Sequence, residues 1–266
     1  MNVFWREMKA HRKSLILWSI GIFLMVLSGM GKYEAYSSSG QSINDLMKDI
    51  PDSLKAVLGF GDVDLSTISG YYSLLFLYIL LMATIHAAML GASIIAKEER
   101  DKTSEFLFVK PIARKTVITA KLSAAFVNVV IFNLVTFLSL IVVLAKFNTN
   151  GEDVNQNIAL TMIGMFISQL LFMMIGAALA SFKRKPKTAA SLATGILLLT
   201  YLLSIIISLK DELDFLKYLT PFKYFEAANV MFGAGIEAVY VIISVILIAG
   251  LTVVTYTFFQ KRDLNI

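Results

Sequence analysis

The segment EERDKTSEFLFVKPIARK, residues 98–115, separates two long apolar runs of the chain. It combines clustered charges with the apolar group FLFV at 106–109. Glu98 and Lys102 have the i,i+4 spacing that supports a helix, and Pro111 predicts that this helix ends just before it. An apolar group rimmed by charges is typical of a docking surface, although the same four side chains would also fit into the edge of a membrane.

The rest of the chain has the composition of a membrane protein. Of its 266 residues, 57% are hydrophobic and 16% are charged, with a mean hydropathy of +0.73, whereas soluble domains carry about 25% charged residues. Six apolar runs are long enough to cross a bilayer as helices, and they lack the period-two alternation of a membrane β-barrel. These predicted spans cover residues 14–31, 71–96, 119–145, 158–182, 189–209 and 238–259. We therefore expect an all-α polytopic membrane protein that forms one transmembrane domain over residues 1–266.

The distribution of positive charge predicts the orientation of the spans. If the N-terminus is cytosolic, 17 of the 24 Lys and Arg residues lie in cytosolic segments or at the inner end of the third span, and 7 lie outside. Because positively charged segments stay in the cytosol during insertion, we expect both termini to be cytosolic. The first span is expected to be retained, since no small-residue cleavage site follows it. The net charge of +5 then needs no nucleic-acid partner.

Three segments flanking the spans have patterns of their own. Residues 1–13 predict an amphipathic helix in the inner membrane interface, the alternative being an unstructured basic tail. Its apolar side would carry Phe4, Met8 and Leu15, and its basic side Arg6, Lys9 and Lys13. The outer loop 32–70 predicts short helices, one of them with Pro51 at its first position. The outer segment 210–237 is aromatic-rich and interrupted by Pro221, which suits a membrane interface.

The motifs that the sequence lacks exclude several chemistries. There is no cysteine, no G-x-x-x-x-G-K-[ST] phosphate loop, no H-E-x-x-H and no G-x-S-x-G. These absences argue against ATP binding of the phosphate-loop type, thiol catalysis, zinc-dependent proteolysis and serine hydrolysis. We therefore expect a non-catalytic membrane subunit without a cofactor or metal of its own.

A few polar and small residues lie inside the predicted spans. The polar ones are His86, Asn128, Asn133 and Gln169. They would either line a translocation path or form hydrogen bonds between helices, and we favour the hydrogen bonds. Ala83, Ala87 and Gly91 recur every four residues and share one face of the second span. That face would pack closely against another helix of the chain or against a second copy.

The run 98–114, together with a later lysine, resembles the signature of ABC-2 type transporter permeases. That signature has an acidic start, Thr followed by Glu, an apolar run, Pro-x-x-Arg and a downstream Lys. The matching residues are Glu98, Thr103, Glu105, Leu107, Pro111, Arg114 and Lys121. Lys102 departs from the pattern, in which glycine is common before the threonine.

The resemblance implies a permease subunit of an ATP-binding cassette exporter. Segment 97–116 would be the coupling helix, seated in a cleft of a separate ATPase subunit that holds ATP and Mg. Two ATPase chains and a second permease chain, identical or homologous, would complete the complex in a bacterial plasma membrane. The coupling residues implied are Glu98, Glu99, Arg100, Thr103, Glu105, Phe106, Phe108, Pro111 and Arg114. Charged members would contact the ATPase, both phenylalanines would anchor in its cleft, and Pro111 and Arg114 would set the turn into the third span.

The cargo expected from the resemblance is broad. The family exports antimicrobial peptides, drugs and lipids among others, and nearly uncharged spans favour an amphipathic or apolar cargo. Two alternatives stay open, an ion-coupled secondary carrier and a non-transporting assembly or sensing factor. The carrier would need intramembrane groups such as His86 or Asn128 to couple ions to transport.

Overall fold

A computed structural model of the chain describes residues 3–38, 50–59, 63–100, 112–148, 155–182, 186–233 and 235–261. These residues form helices, turns and bends, with no strand among them. In chain order the helices are α1 (Val3–Ser38), α2 (Asp52–Leu58), α3 (Ile68–Arg100), α4 (Arg114–Phe147), α5 (Asn155–Phe182), α6 (Pro186–Leu209), a 3-10 helix (Asp211–Leu219), α7 (Pro221–Tyr224), α8 (Ala227–Phe232) and α9 (Ala238–Lys261).

The long helices account for the membrane-protein composition. Six described helices are long and apolar enough to cross a membrane, namely α1, α3, α4, α5, α6 and α9. Each of the six predicted spans lies within one of them. The predicted all-α fold with six spans is therefore confirmed.

The N-terminal segment is helical, as predicted, but it is the first part of α1 rather than a separate helix. Its apolar residues Phe4 and Met8 pack against the core of the protein. The same helical stripe continues in phase to Ile22 and Val26, which are completely buried. The segment and the span therefore share one buried stripe on one continuous helix. The position of the segment in a membrane interface stays a prediction.

Helices α3 and α5 form the centre of the bundle. A Cβ atom on Gly91 would lie 1.9 Å from the carbonyl oxygen of Met173, and one on Gly176 would lie 2.2 Å from that of Ala88. Only glycine therefore permits this approach of the two backbones. Around this pair, α1 packs on α4, α6 packs on α3 and α9 packs on α5. The small-residue face that ends at Gly91 thus serves packing within the chain.

The two ends of the bundle can be identified from contacts between distant residues. Arg6 at the start of α1 lies against Glu98 near the end of α3. Arg114 at the start of α4 donates to the carbonyl oxygen of Gln260 near the end of α9, at 3.0 Å. Lys121 in the second turn of α4 lies 2.7 Å from Glu98, which connects the two contacts. The beginning of α1 and the end of α9 therefore lie at the same end of the bundle, which we call the terminal end. The opposite end, which we call the loop end, carries α2, the 3-10 helix, α7 and α8.

The loop end is built from short helices that pack against the long ones. Pro51 lies just before the first residue of α2 instead of at the predicted first position, because its ψ of 143° is extended rather than helical. Pro221 occupies the first position of α7. Tyr224 stacks on Tyr240 with ring centroids 4.9 Å apart. Burial, and then the neighbouring Tyr240, raise the pKa of Tyr224. Its hydroxyl donates to the backbone oxygen of Tyr218.

Candidate functional site: a buried ion cluster at the terminal end

Three helices bring charged side chains together at the terminal end. Residues Arg6 and Glu7 come from α1, Lys97 and Glu98 from the last turns of α3, and Lys121 from the second turn of α4. We call these five residues the ion cluster. Among the described residues, the buried acidic or basic side chains are Glu7, Glu98, Lys121 and His86. Three of these four thus belong to one group, which is the strongest concentration of buried charge that the structure describes.

Lys121 lies at the centre of the ion cluster and is completely buried. Its Nζ lies 2.7 Å from Glu98 Oε2 and 3.6 Å from Glu7 Oε1. It also donates to the carbonyl oxygen of Ile94 at 2.6 Å. A buried ammonium is tolerated only when opposite charges and hydrogen bonds replace its water, and here both are present.

Two further cations complete the pairing of the carboxylates. Arg6 Nη2 lies 2.8 Å from Glu7 Oε1 and 2.5 Å from Glu98 Oε1, so one guanidinium bridges both acids. Lys97 Nζ lies 3.4 Å from Glu7 Oε2. His11 Nε2, at 4.0 Å from the same oxygen, borders the cluster. Three cations thus share two carboxylates, and α1 is joined to α3 and α4 through them.

Glu7 was missed by the sequence analysis, although the sequence contains a signal for it. Positions 4, 7, 8, 11 and 15 follow the i, i+3, i+4, i+7 spacing of one helical face. Glu7 and His11 therefore lie on the same stripe as the apolar Phe4, Met8 and Leu15. An acidic residue on the buried stripe of a helix requires a partner of opposite charge.

The predicted coupling residues lie on both sides of a stretch outside the described residues. Glu98 is 6% exposed and its carboxylate is held by Arg6 and Lys121. This placement gives Glu98 contacts within the chain, and a direct contact of Glu98 with an ATPase stays a prediction. Glu99 is partly exposed on the same turn, and Arg100 is the last residue of α3.

The remainder of the coupling set divides in the same way. Arg114 is the first residue of α4 and ties it to α9 through Gln260. The two ends of segment 97–116 are therefore anchored in different helices. Outside the described residues lie Thr103, Glu105, Phe106, Phe108 and Pro111.

The four polar residues within the spans make contacts between helices. The His86 ring stacks on Phe132 at 4.7 Å between centroids and lies 5.5 Å from the ring of Trp18. Its Nδ1 has no hydrogen-bond partner among the described residues. These contacts link α3 to α1 and α4.

The three amide side chains lie at the contacts of α4 with α1 and with α5. Asn128 donates to the sulfur of Met8 at 3.2 Å and to the carbonyl oxygen of Ala124 at 2.8 Å. Asn133 donates to Gln169 Oε1 at 3.1 Å and so links α4 to α5. The described geometry of these amides is that of helix packing.

The geometry of the ion cluster supports a mechanical role, because the cluster links the ends of α1, α3 and α4. Its carboxylates are already shared among cations, and no group of three or more His, Cys, Asp or Glu side chains within the described ranges could hold a metal ion. Separating the charges would leave them buried without partners, so the three helix ends are expected to move as a unit.

The fold and the ion cluster define a membrane protein with six candidate spans among its described helices, whose terminal end is joined by buried charges. The chain belongs to the ABC-2 family of transporter proteins, whose family model matches residues 1–264. No curated protein sequence matches the chain. Membership of this family makes the chain a multi-pass permease component of an ATP-binding cassette transporter, and it implies association with an ABC ATPase.

Proposed function

We propose that this permease exports an amphipathic or apolar cargo, using ATP hydrolysed with Mg by a separate ATPase subunit. The ion cluster carries this proposal, because it joins three helices beside the predicted coupling segment. In the proposed arrangement the terminal end faces the cytosol, which agrees with the excess of Lys and Arg in the segments at that end. The complex would contain two ATPase chains and a second permease, identical or homologous, in a bacterial plasma membrane.

The proposed mechanism starts at the coupling segment. One side of it continues from α3, where Glu98 belongs to the ion cluster. The other side enters α4, where Arg114 is bonded to α9. A movement imposed on this segment by an ATPase would therefore reach α1, α3, α4 and α9 together.

The close pair of α3 and α5 would carry that movement towards the loop end. Their backbones touch at Gly91 and Gly176, so neither helix can slide sideways without displacing the other. This contact gives the ATP-driven step a route through the bundle.

The choice of cargo rests on the charges of the bundle interior. Beyond the ion cluster, His86 is the buried acidic or basic side chain of the described helices. A small ionic cargo would require matching charges along its path, whereas an amphipathic peptide, drug or lipid would not. An apolar cargo therefore fits this interior best.

The division of labour among the coupling residues can be tested by affinity purification. The tagged full chain is recovered from membranes of its host as wild type, Phe106→Ala, Glu98→Gln and Phe182→Ala. We expect the wild type to recover a phosphate-loop ATPase and Phe106→Ala to lose it. Phe182 is 60% exposed at the terminal end of α5 and lies outside the coupling segment, so its substitution is the matched control.

Glu98→Gln is expected to retain the ATPase, because Glu98 is occupied within the chain, and to lose the coupling of ATP hydrolysis to transport. Absence of any ATPase with the wild type would contradict the proposal. The ion-coupled carrier would then be favoured, and flux that depends on pH or ions and requires His86 or Asn128 would support it. Equal recovery with wild type and Phe106→Ala would remove Phe106 from the interface.

A further inference from the structure

A cavity of about 70 Å³ lies at the loop end, remote from the ion cluster. It is lined by α2, α3 and α6 and by the segment that carries α7 and α8. We call it the loop-end pocket. A single water needs about 10–15 Å³ of such volume, so this pocket can accept a larger polar group.

Two opposite charges line the pocket. Lys223 Nζ lies 2.9 Å from Glu226 Oε2, and Asn229 donates to the same oxygen at 3.3 Å. Within the described chain, the Lys223 ammonium makes no other hydrogen bond or ion pair with a side chain, and Glu226 Oε1 makes none. An ammonium has three donors and a carboxylate has two acceptor oxygens, so both residues keep open hydrogen-bonding positions.

The remainder of the lining changes from hydroxyl groups to apolar side chains. Ser73, Ser204 and Ser208 contribute the hydroxyl groups. Their donors are bonded to carbonyl oxygens of their own helices, which leaves acceptor positions open. The apolar side chains are Phe76, Leu77, Leu80, Ile205 and Phe222. A charged pair beside an apolar lining matches a ligand that is itself amphipathic.

We propose that the loop-end pocket binds a zwitterionic phospholipid whose headgroup carries a primary ammonium, as in phosphatidylethanolamine. The phosphate would accept from Lys223, and the headgroup ammonium would donate to Glu226. The start of an acyl chain would lie against Phe76 and Ile205. The site is independent of the cargo proposed above and requires only that the loop end lies at a membrane surface.

Charge complementarity favours this ligand over other lipids. An anionic phospholipid would satisfy Lys223 and place its charge beside the Glu226 carboxylate. A choline headgroup has the right charges but no N–H group to donate. The ethanolamine headgroup therefore matches the open hydrogen-bonding positions of both Lys223 and Glu226.

Native mass spectrometry of the delipidated full chain in detergent can test this selectivity. The probes are short-chain phosphatidylethanolamine, phosphatidylglycerol with the same acyl chains, and glycerophosphoethanolamine, which lacks acyl chains. We expect the wild type to bind the ethanolamine lipid about tenfold or more tightly than the glycerol lipid, because charge-assisted hydrogen bonds have that magnitude. Glu226→Gln should weaken binding of the ethanolamine lipid and strengthen binding of the glycerol lipid.

A neighbouring ion pair supplies the matched control. Lys217 and Asp214 have the same three-residue spacing and an Nζ to Oδ2 distance of 2.6 Å, yet they lie outside the pocket. The double substitution Asp214→Asn with Lys217→Gln should leave both lipid affinities unchanged. Lys223→Gln is the second pocket variant. It should weaken the binding of both lipids, because both rely on the contact between Lys223 and the phosphate.

The remaining outcomes would overturn the inference. Equal affinity of the wild type for the two lipids would remove the zwitterion preference. Equal changes in the pocket and control variants would assign the effect to surface charge. Glycerophosphoethanolamine that binds as tightly as the lipid would identify a site for free zwitterions, and the acyl contacts would then be wrong.

Discussion

The terminal end and the loop end of this bundle both contain ion pairs, but the paired residues are far apart in sequence at the terminal end and close together at the loop end. At the terminal end, Arg6 reaches Glu98 across 92 positions of sequence, and Lys97 reaches Glu7 across 90. At the loop end, Lys217 and Lys223 each pair with an acid three positions away. The first arrangement joins separate helices, whereas the second only orders a local segment.

The ion pairs of the two ends also differ in burial, and therefore in how much they contribute to stability. Lys121 and Glu7 have completely buried side chains, whereas the Asp214 side chain is 61% exposed. Exposed pairs contribute little, because water competes for both partners. Loss of one partner from a buried group leaves a charge without water or counter-ion. The terminal end is thus joined by buried ion pairs between helices, whereas the two ion pairs of the loop end are local and more exposed.

The largest expected effect comes from removing the central cation of the joint. Lys121→Met should destabilise the protein by about 3–5 kcal/mol, because Glu98 and Glu7 both lose a buried partner. The measurement is the free energy of unfolding in bicelles, with Lys115→Met as the control, since Lys115 is exposed on the same helix. Similar free energies of unfolding for the two variants would show that the buried pairing of Lys121 does not stabilise the joint.

An intermediate effect is expected in the contact that connects the two ends. Gly91→Ala must push α3 away from the backbone of α5, at a cost of about 1–3 kcal/mol. Gly250→Ala is the matched control, because nothing lies within 4 Å of a Cβ built there in α9. Unfolding experiments on both variants should separate them, and a neutral Gly91→Ala would place the close approach elsewhere.

The smallest effect is expected at the loop end. Asp214→Asn removes the carboxylate that pairs with Lys217, and the exposed lysine can then be solvated by water. We expect no measurable change in thermal stability. A loss comparable with that of Lys121→Met would erase the contrast between the two ends.

Much of the fold could be predicted from the sequence, because a chain in a bilayer must satisfy its backbone hydrogen bonds within helices. Uninterrupted apolar runs therefore located all six long helices. The helix predicted over residues 1–13 and the span predicted over 14–31 are parts of one helix, Val3–Ser38, and the change from mixed to apolar composition did not reveal that they are continuous.

The ion cluster could be predicted only in part. Glu98 and Lys121 stood out through the family signature, and the stripe position of Glu7 was visible in the sequence. Their meeting point depends on which helices are neighbours, and no local pattern determines the pairing of residues about 90 positions apart. The same holds for the loop-end pocket, since the spacing of Lys223 and Glu226 does not reveal the helices packed around them.

The most direct test of the coupling account is hydrogen exchange of the complex with its ATPase, with and without ATP and vanadate. In the wild type, trapping should change exchange both near residues 97–121 and at the loop-end segment 211–232. In Glu98→Gln the change should persist near the coupling segment and disappear from the loop end. Lys9→Gln, at an exposed position of α1 outside the ion cluster and the coupling residues, should behave as wild type. An unchanged loop-end response in Glu98→Gln would contradict the claim that the ion cluster transmits the ATP-driven movement.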